Sequence, residues 1–410
     1  MRMIKMERCV ITGFGIVTYL GESLDTLWNT LCEKKGAFDP ACGNHPVISG
    51  DRLNLPSFTA IPRKKRLYFD KQVVFTFLSA MKAIENAQIK EWLKNPDIKE
   101  KTGVVVGNKF AQVEFGIQQV VSMNETKSLN ISPFTGIGYY FGGPAGEIAS
   151  EFKTKGQNDV LVTGSSAGFD CVTTGYDSIR YGRNHVVLAG AGENILSGIC
   201  DNILKHKLSS GQYLPYHKNR QGCFIASGGG IAVLESLSMA KERKAAIYAE
   251  IEAHHSLTAH SCLFEYNQDL TRYTEKAIRL CLEKSGITPQ DIDMVIPNAD
   301  GSKDGDHYEL QAIKNVFQGQ KNLIYTPKPN VGHTLSVSGI IDLFTAAMSL
   351  KHRTLPPLLY PIDCDEENTN SMFISEKMDK NIKRVLMLQR NIVGGRVGAM
   401  IVKEYSCEDH

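Results

Sequence analysis

One short stretch combines small residues and hydroxyls in a pattern that can do chemistry: Asp159-Val-Leu-Val-Thr-Gly-Ser-Ser-Ala-Gly168. An apolar run that ends in glycine and serine has the form of a buried strand entering a tight turn, and the pattern from Phe169 to about Arg180 predicts a helix after it. Gly164 and Gly168 allow the sharp turn that sets Ser165 and Ser166 near a helix N-terminus. Unpaired N–H groups and the positive end of the helix dipole favour an oxyanion there. Two distant stretches carry further polar groups, Asn298-Ala-Asp-Gly301 and Lys328-Pro-Asn-Val-Gly-His333. One reading is a serine hydrolase or acyltransferase. Gly164-Ser-Ser-Ala-Gly168 fits G-x-S-x-G with Ser166 as nucleophile, and Asp300 and His333 follow in the order Ser, Asp, His. A five-residue pattern of such common residues also arises often by chance.

The elements that must position these groups alternate between strand and helix. Strands are expected at Cys9–Val17, Val104–Gly107, His185–Glu193 and Gly228–Glu235, then at Ile247–Ala253, Met294–Ala299, Asn322–Thr326, Val385–Leu388 and Gly398–Lys403. Helices are expected at Ser23–Glu33, Phe69–Ala87, Tyr273–Ser285, Glu309–Phe317 and Ser338–Lys351. This alternation predicts an α/β protein with parallel sheets covered on both faces. The polar segment Arg243–Ala246 marks a junction, which divides the chain into halves 1–245 and 246–410. Gly13 and Gly15 suggest a dinucleotide turn, but Thr18 stands where the third glycine belongs, so that reading fails.

The chain has 410 residues, 42% hydrophobic and 22% charged, with a formal net charge of +2. That is ordinary globular composition with length for a large core, and the charge argues neither for nor against nucleic acid. The ten cysteines form no CxxC pair and no clustered Cys/His set, which points to reduced thiols in a cytoplasmic protein. No apolar segment reaches the roughly 18 residues of a membrane span, and the N-terminus lacks a signal-peptide core. Arg63-Lys-Lys-Arg66 is a short basic run, either a solvated surface or a docking patch for an acidic partner.

Over nearly its whole length the chain resembles the β-ketoacyl-acyl carrier protein synthases of the thiolase fold. Arg8-Cys-Val-Ile-Thr-Gly-Phe-Gly-Ile-Val17 matches the family's opening strand. Tyr213-Leu-Pro-Tyr-His-Lys-Asn-Arg-Gln-Gly-Cys-Phe224 stands where the family has its Pro-Phe-Asp…Arg-x-Gly-Phe loop. Lys328-Pro-Asn-Val-Gly-His-Thr334 matches Lys-Ser-x-x-Gly-His-Thr, and Leu355-Pro-Pro357 and Val393-Gly-Gly395 match later landmarks. The resemblance implies two similar halves forming a five-layer α-β-α-β-α sandwich with the active site between them. It also implies a dimer, a substrate carried on the phosphopantetheine of an acyl carrier protein, and no metal or organic cofactor. Arg63, Lys64, Lys65 and Arg66 become the expected carrier-docking residues, and no nucleic-acid or membrane partner is expected.

The departures from the family carry the functional information. Ser165 stands where the family has its nucleophilic cysteine. A hydroxyl cannot ionise near neutral pH as a thiol at a helix N-terminus can. Asp300 replaces the histidine of Ala-His-Gly-Thr, and an ionised carboxylate cannot donate a hydrogen bond to a thioester oxygen. Ser302 is what remains of the threonines that hold the pantetheine arm. Val393 replaces a gating phenylalanine beside Gly394, and Arg396 a threonine. Lys328, His333 and Asp342 survive, the last in place of a glutamate. By resemblance His333 stabilises the enolate formed when malonyl-thioester loses carbon dioxide, with backbone N–H groups of Ser165 and Val393. The leading expectation is therefore a decarboxylase that converts malonyl- to acetyl-acyl carrier protein in a polyketide β-branching pathway, as a homodimer. The alternative is a non-catalytic, chain-length-factor-like partner in a heterodimer with an active ketosynthase, where Lys328 and Asp342 form a buried ion pair. A hydrolase using Ser165 or Ser166 ranks third.

Overall fold

A computed structural model describes residues 6–36, 47–110, 112–138, 140–196, 212–259, 266–318, 320–321, 323–364, 366, 369–391 and 395–406. The first half contributes strands β1 (Cys9–Val17), β2 (Thr102–Gly107), β3 (Asn158–Leu161), β4 (Val186–Glu193) and β5 (Gly228–Ser236). Its helices are α1 (Leu24–Cys32), α2 (Lys71–Asn86), α3 (Val113–Thr126), α4 (Gly143–Phe152) and α5 (Ala167–Arg180). The second half contributes β6 (Ala249–Thr258), β7 (Met294–Ile296), β8 (Arg384–Arg390) and β9 (Arg396–Lys403), with α6 (Gln268–Ser285), α7 (Lys303–Phe317) and α8 (Ser338–His352).

The strands lie in the order β3-β2-β4-β5-β1-β6-β9-β8-β7. The same pairing pattern occurs twice. In the first half β1/β5 and β5/β4 are antiparallel, while β4/β2 and β2/β3 are parallel. In the second, β6/β9 and β9/β8 are antiparallel, β8/β7 is parallel, and a parallel bridge from Val295 to Ile324 follows. The sheets of the two halves join edge to edge into one continuous run of nine strands where Cys9–Ile11 of β1 pairs with Ala249–Ile251 of β6. The fold is thus the expected pair of similar halves, but each sheet is mixed rather than parallel. Strands buried on both faces read as apolar runs whichever way they point, so the pattern does not encode direction. The expected strand at 322–326 is reduced to the bridge at Ile324. Helix α7 begins at Lys303 rather than Glu309, because Ser302 caps it and Gly305 and Asp306 of its first turn are buried.

Five layers follow from the helix contacts. Helices α2 and α4 cover the outer face of the first sheet, and α6 covers that of the second with α7 packed on it. Helices α5 and α8 pack on one another between the sheets. The central layer is tight because glycines line it. A Cβ on Gly190 of β4 would lie 2.0 Å from the Gly230 carbonyl oxygen, and one on Gly230 of β5 would lie 2.9 Å from Ile340 Cγ2 on α8.

Helix α3 is different, for none of its residues is buried. Ile117, Val120 and Val121 share one exposed face, and the following segment adds exposed Leu129, Ile137 and Tyr140. Among the described residues β3 is the edge strand of the first sheet, and Val162 after it is exposed as well.

These contacts set the cost of filling a glycine. Gly190→Ala should destabilise the protein by about 1–3 kcal/mol or more, since backbone cannot move aside as a side chain can. Gly146→Ala, on α4 with open space around its Cβ, should stabilise by about 0.4–1 kcal/mol. Urea unfolding of the two variants checks both signs.

Candidate active site

Strand β3 leaves the sheet into the turn Gly164–Ser166, which feeds α5. Gly164 has φ +69°, and a Cβ there would stand 2.5 Å from the Asn391 side chain, so glycine is required at that point. Ser165 is fully buried. Its Oγ donates to the Arg390 carbonyl at 3.3 Å and lies 3.3 Å from Asn391 Oδ1. Its backbone N–H, expected to face an oxyanion, donates to Asn391 Oδ1 at 3.4 Å. Gln389 Nε2 donates to the Ser165 carbonyl at 3.3 Å. The Ser166 hydroxyl turns back to the Thr163 carbonyl at 2.8 Å and lies 3.2 Å from Asp170 Oδ2.

His333 is buried on the facing segment, and its backbone bonds to Phe224 and Ala226. Its Nδ1 accepts the Leu335 N–H at 3.1 Å and sits 3.3 Å from Ser338 Oγ. That fixes the proton of the neutral ring on Nε2, which has no hydrogen-bond partner among the described residues. Burial, with Lys328 nearby, pushes the pKa down to about 3, so the ring is a neutral donor at physiological pH. This geometry removes the hydrolase reading. A triad histidine gives Nδ1–H to a carboxylate and keeps Nε2 free to accept the serine proton, and both roles are reversed here.

Lys328 and Asp342 form the buried pair anticipated above, with Nζ 2.6 Å from Oδ2 and a second bond from Nζ to the Pro297 carbonyl at 3.3 Å. Burial pushes Asp342 up to about 6 against the pull of Lys328. Asp300 is equally buried and fully engaged. It accepts from Ser302 N at 3.0 Å, Ser302 Oγ at 2.6 Å and Tyr266 Oη at 3.0 Å, and its Oδ2 is 2.9 Å from Arg390 Nη2. Arg390 also donates from Nη1 to the Gly305 carbonyl at 2.8 Å and stacks over Tyr266 at 4.8 Å. Glu309 holds the loop before Asp300 through the N–H groups of Asn298 and Ala299, both at 2.9 Å, and Asp306 accepts the Gly301 N–H at 3.1 Å. Glu193 on β4 receives the N–H groups of Lys109 and Phe110 and the Ser336 hydroxyl, which ties the β2 exit to the segment after His333.

Backbone strain marks the same region. Most side-chain-bearing residues with positive φ lie just past helix C-termini, where that conformation is common. Three are instead buried around the site, Tyr216 at 64°, Ala299 at 47° and Leu335 at 49°. Such strain persists where surrounding contacts over-determine it, and it concentrates at functional centres.

The other expected site residues fall out unevenly. Ser302 is the N-cap of α7, with Oγ accepting the Gly305 N–H at 3.2 Å, so its hydroxyl serves the helix and Asp300. Arg396 is spent on Asp170 of α5, with Nε at 2.8 and 2.9 Å from the two carboxylate oxygens and Nη2 at 2.8 Å from one of them. Val393 and Gly394 lie outside the described residues. The basic run does not act as one patch. Lys65 is drawn inward to Glu147 and Glu151 of α4, at 2.7 and 3.4 Å, and Arg66 lies over the Phe58 ring, which leaves Arg63 and Lys64 exposed. Sequence reading missed Arg390, Asn391, Tyr266 and Glu193. Arg390 had a signal, a charge closing the apolar run of β8; Asn391 and Tyr266 had none.

The comparisons with known proteins agree with this architecture. The model of the beta-ketoacyl synthase N-terminal domain matches residues 6–240, and that of the C-terminal domain matches residues 248–360. A 3-oxoacyl-[acyl-carrier-protein] synthase 1 of Buchnera aphidicola is 27% identical over 98% of this chain and 100% of its own. Two solved structures share the fold at low identity. One is a type II polyketide ketosynthase complexed with its acyl carrier protein, with TM-score 0.82 and 21% identity over 98% of this chain and 100% of that one. The other is the ishigamide ketosynthase/chain length factor, with TM-score 0.83 and 20% identity over the same shares. With both domain models matched along most of its length, the chain belongs to the beta-ketoacyl synthase family.

Proposed function

We propose that this chain is a non-condensing, chain-length-factor-like subunit that pairs with a cysteine-bearing ketosynthase in a carrier-protein-dependent pathway. One observation carries the reading: Asp300 is locked into a buried ion pair with Arg390, in the region where condensing chemistry would need hydrogen-bond donors. Ser165 supports it. It offers no thiolate for acyl transfer, and Asn391 occupies its backbone N–H. The exposed apolar face of α3 and the edge position of β3 each support a protein partner, since exposed apolar surface and unpaired strand edges mark association sites. The acyl carrier protein enters as a partner of the pair, its substrate held on phosphopantetheine, and Arg63 and Lys64 are the candidates to meet its acidic surface.

Co-purification with a cysteine-bearing relative tests the pairing. The complex should form polyketide product where neither chain alone does so at a comparable rate. A chain that assembles with no ketosynthase, or that leaves product and chain length unchanged, rules the reading out. Val120→Glu with Val121→Lys should abolish association while leaving the isolated chain folded by circular dichroism.

A second reading, malonyl-carrier decarboxylation, is favoured by the Nε2–H of His333, which has no hydrogen-bond partner among the described residues. Charge develops on the thioester oxygen as carbon dioxide leaves, and one such donor is worth about 3–4 kcal/mol of barrier. If the purified chain converts malonyl- to acetyl-carrier protein, His333→Ala should cut the rate about a hundredfold, as read by mass spectrometry. The wild-type rate should show no inflection near pH 6.5 from this ring, since His333 is already neutral there.

Stability carries the opposite mark of the same pKa. His333 binds its proton less readily folded than unfolded, so its contribution is fully present above about pH 6.5 and is lost as pH falls toward about 3. His333→Gln should flatten that part of the acid-unfolding curve.

A further inference from the structure

We propose that the trough between α6 and α7 is a docking groove for an acidic helix of a partner protein. This surface is separate from those assigned above to ketosynthase pairing and carrier contact, which lie on α3, β3 and Arg63–Lys64 of the first half.

The trough comes from the way the two helices pack on the outside of the second half. Thr271 Oγ1 donates to the Tyr308 carbonyl at 2.9 Å, Asn315 Nδ2 to Glu275 Oε2 at 3.1 Å, and Arg279 Nη2 to the Asn315 carbonyl at 3.3 Å. Residue numbers rise together along both helices in these links, so the helices run side by side in the same direction. The valley between them has a volume of about 710 Å³. Its α6 wall extends from Gln268 to Leu280, which at 1.5 Å per residue is about 18 Å. Half-buried Leu280 and Tyr308 give the lining an apolar strip. The links between α6 and α7 form the groove before anything enters it, which lowers the ordering cost of association.

The charge on the α6 wall is one-sided. Arg272, Lys276 and Arg279 recur at i, i+4 and i+7, which places them on one face of the helix. Glu275, the carboxylate between the first two in sequence, is taken up by Arg279 at 2.8 Å and by Asn315. Arg272 and Lys276 are exposed and have no carboxylate partner among the described residues. Arg272 lies over the Tyr273 ring at 6.0 Å. Cations elsewhere are treated differently: Lys65, Lys71, Lys82 and Arg384 each reach a carboxylate within 2.9 Å. At the α7 end His307 is engaged with Glu366 at 2.9 Å.

Two uncompensated cations one turn apart, beside an apolar strip, specify their complement. It is a helix with Asp or Glu at i and i+4 and large apolar residues at i+3 and i+7 of the same face. A straight valley between two helices offers side chains to its occupant. An extended peptide is recognised instead through the unpaired backbone of a strand edge, and α6 and α7 have none to give.

The test uses the full chain and a fluorescent, alanine-based helical peptide of about 20 residues with Glu at i and i+4 and Leu at i+3 and i+7. Fluorescence anisotropy should show binding that weakens as ionic strength rises. Arg272→Glu with Lys276→Glu should weaken it about tenfold or more, since like charges then face each other. The same variant should bind a peptide with Lys in place of both Glu better than the wild-type chain does. Lys90→Glu with Lys241→Glu makes the same change in net charge on exposed residues outside the groove, and should leave affinity for the Glu peptide within about twofold. The proposal is overturned if a Gln-for-Glu peptide binds as tightly as the Glu peptide, if reversal in the groove leaves affinity unchanged, or if the control reversal weakens binding as much. Binding of a single-stranded oligonucleotide through Arg272 and Lys276, without binding of the Glu peptide, assigns these cations to nucleic acid and overturns it too.

Discussion

Everything at the site depends on how closely the first turns of α5 and α8 approach each other between the sheets. A Cβ on Gly168 would come within 2.3 Å of the Ser336 carbonyl oxygen, and one on Gly339 within 2.8 Å of the Phe169 backbone nitrogen. The two contacts mirror each other, because each half delivers a short turn and then a glycine-bearing helix start. Gly164–Ser166 precedes α5, and Leu335–Val337 precedes α8. Close packing of this kind leaves little slack. It carries the Ser165 turn and the segment just after His333 to the same central layer, and the strained backbone of Leu335 is held there by contacts from both halves.

Around that rigid centre the chain has buried several ions. Lys328 with Asp342 and Asp300 with Arg390 are both compensated pairs, with Glu309 and Glu193 satisfied by N–H and hydroxyl donors. Buried pairs contribute little net stability compared with apolar packing, but removing one partner is costly because the other is left uncompensated. The region therefore tolerates paired changes better than single ones. This gives Arg390 and Gly305 a shared logic: the guanidinium needs the carboxylate for charge and the glycine for space, since a Cβ on Gly305 would stand 2.7 Å from Arg390 Nη2.

Much of this was legible from residue types. The strand-turn-helix at Ser165 follows from its glycines, and the Lys328–Asp342 pair follows from opposite charges on apolar segments. The turn around His333 was carried by a specific motif. Strand direction was not legible, since apolar runs such as Val104–Gly107 and Gly228–Glu235 look alike whether parallel or antiparallel. Nor was the fate of long polar side chains. Lys65 and Arg396 read as surface or substrate contacts, yet each is claimed by a carboxylate, Glu147 or Asp170, from a helix remote in sequence. Asn391 reaches the Ser165 amide across 226 positions, a pairing that no local pattern encodes. Tertiary partners decide such residues, so their roles appear only once the halves are folded together.

The exposed face of α3 bears on the economy of the cell. A chain that carries an uncovered apolar helix and an open strand edge is a substrate for chaperones and proteases until something covers them. In the proposed pairing, copies made in excess of the partner would be cleared while paired copies persist. Subunit balance would then be set after translation, by the surface itself, with no need for matched synthesis of the two chains.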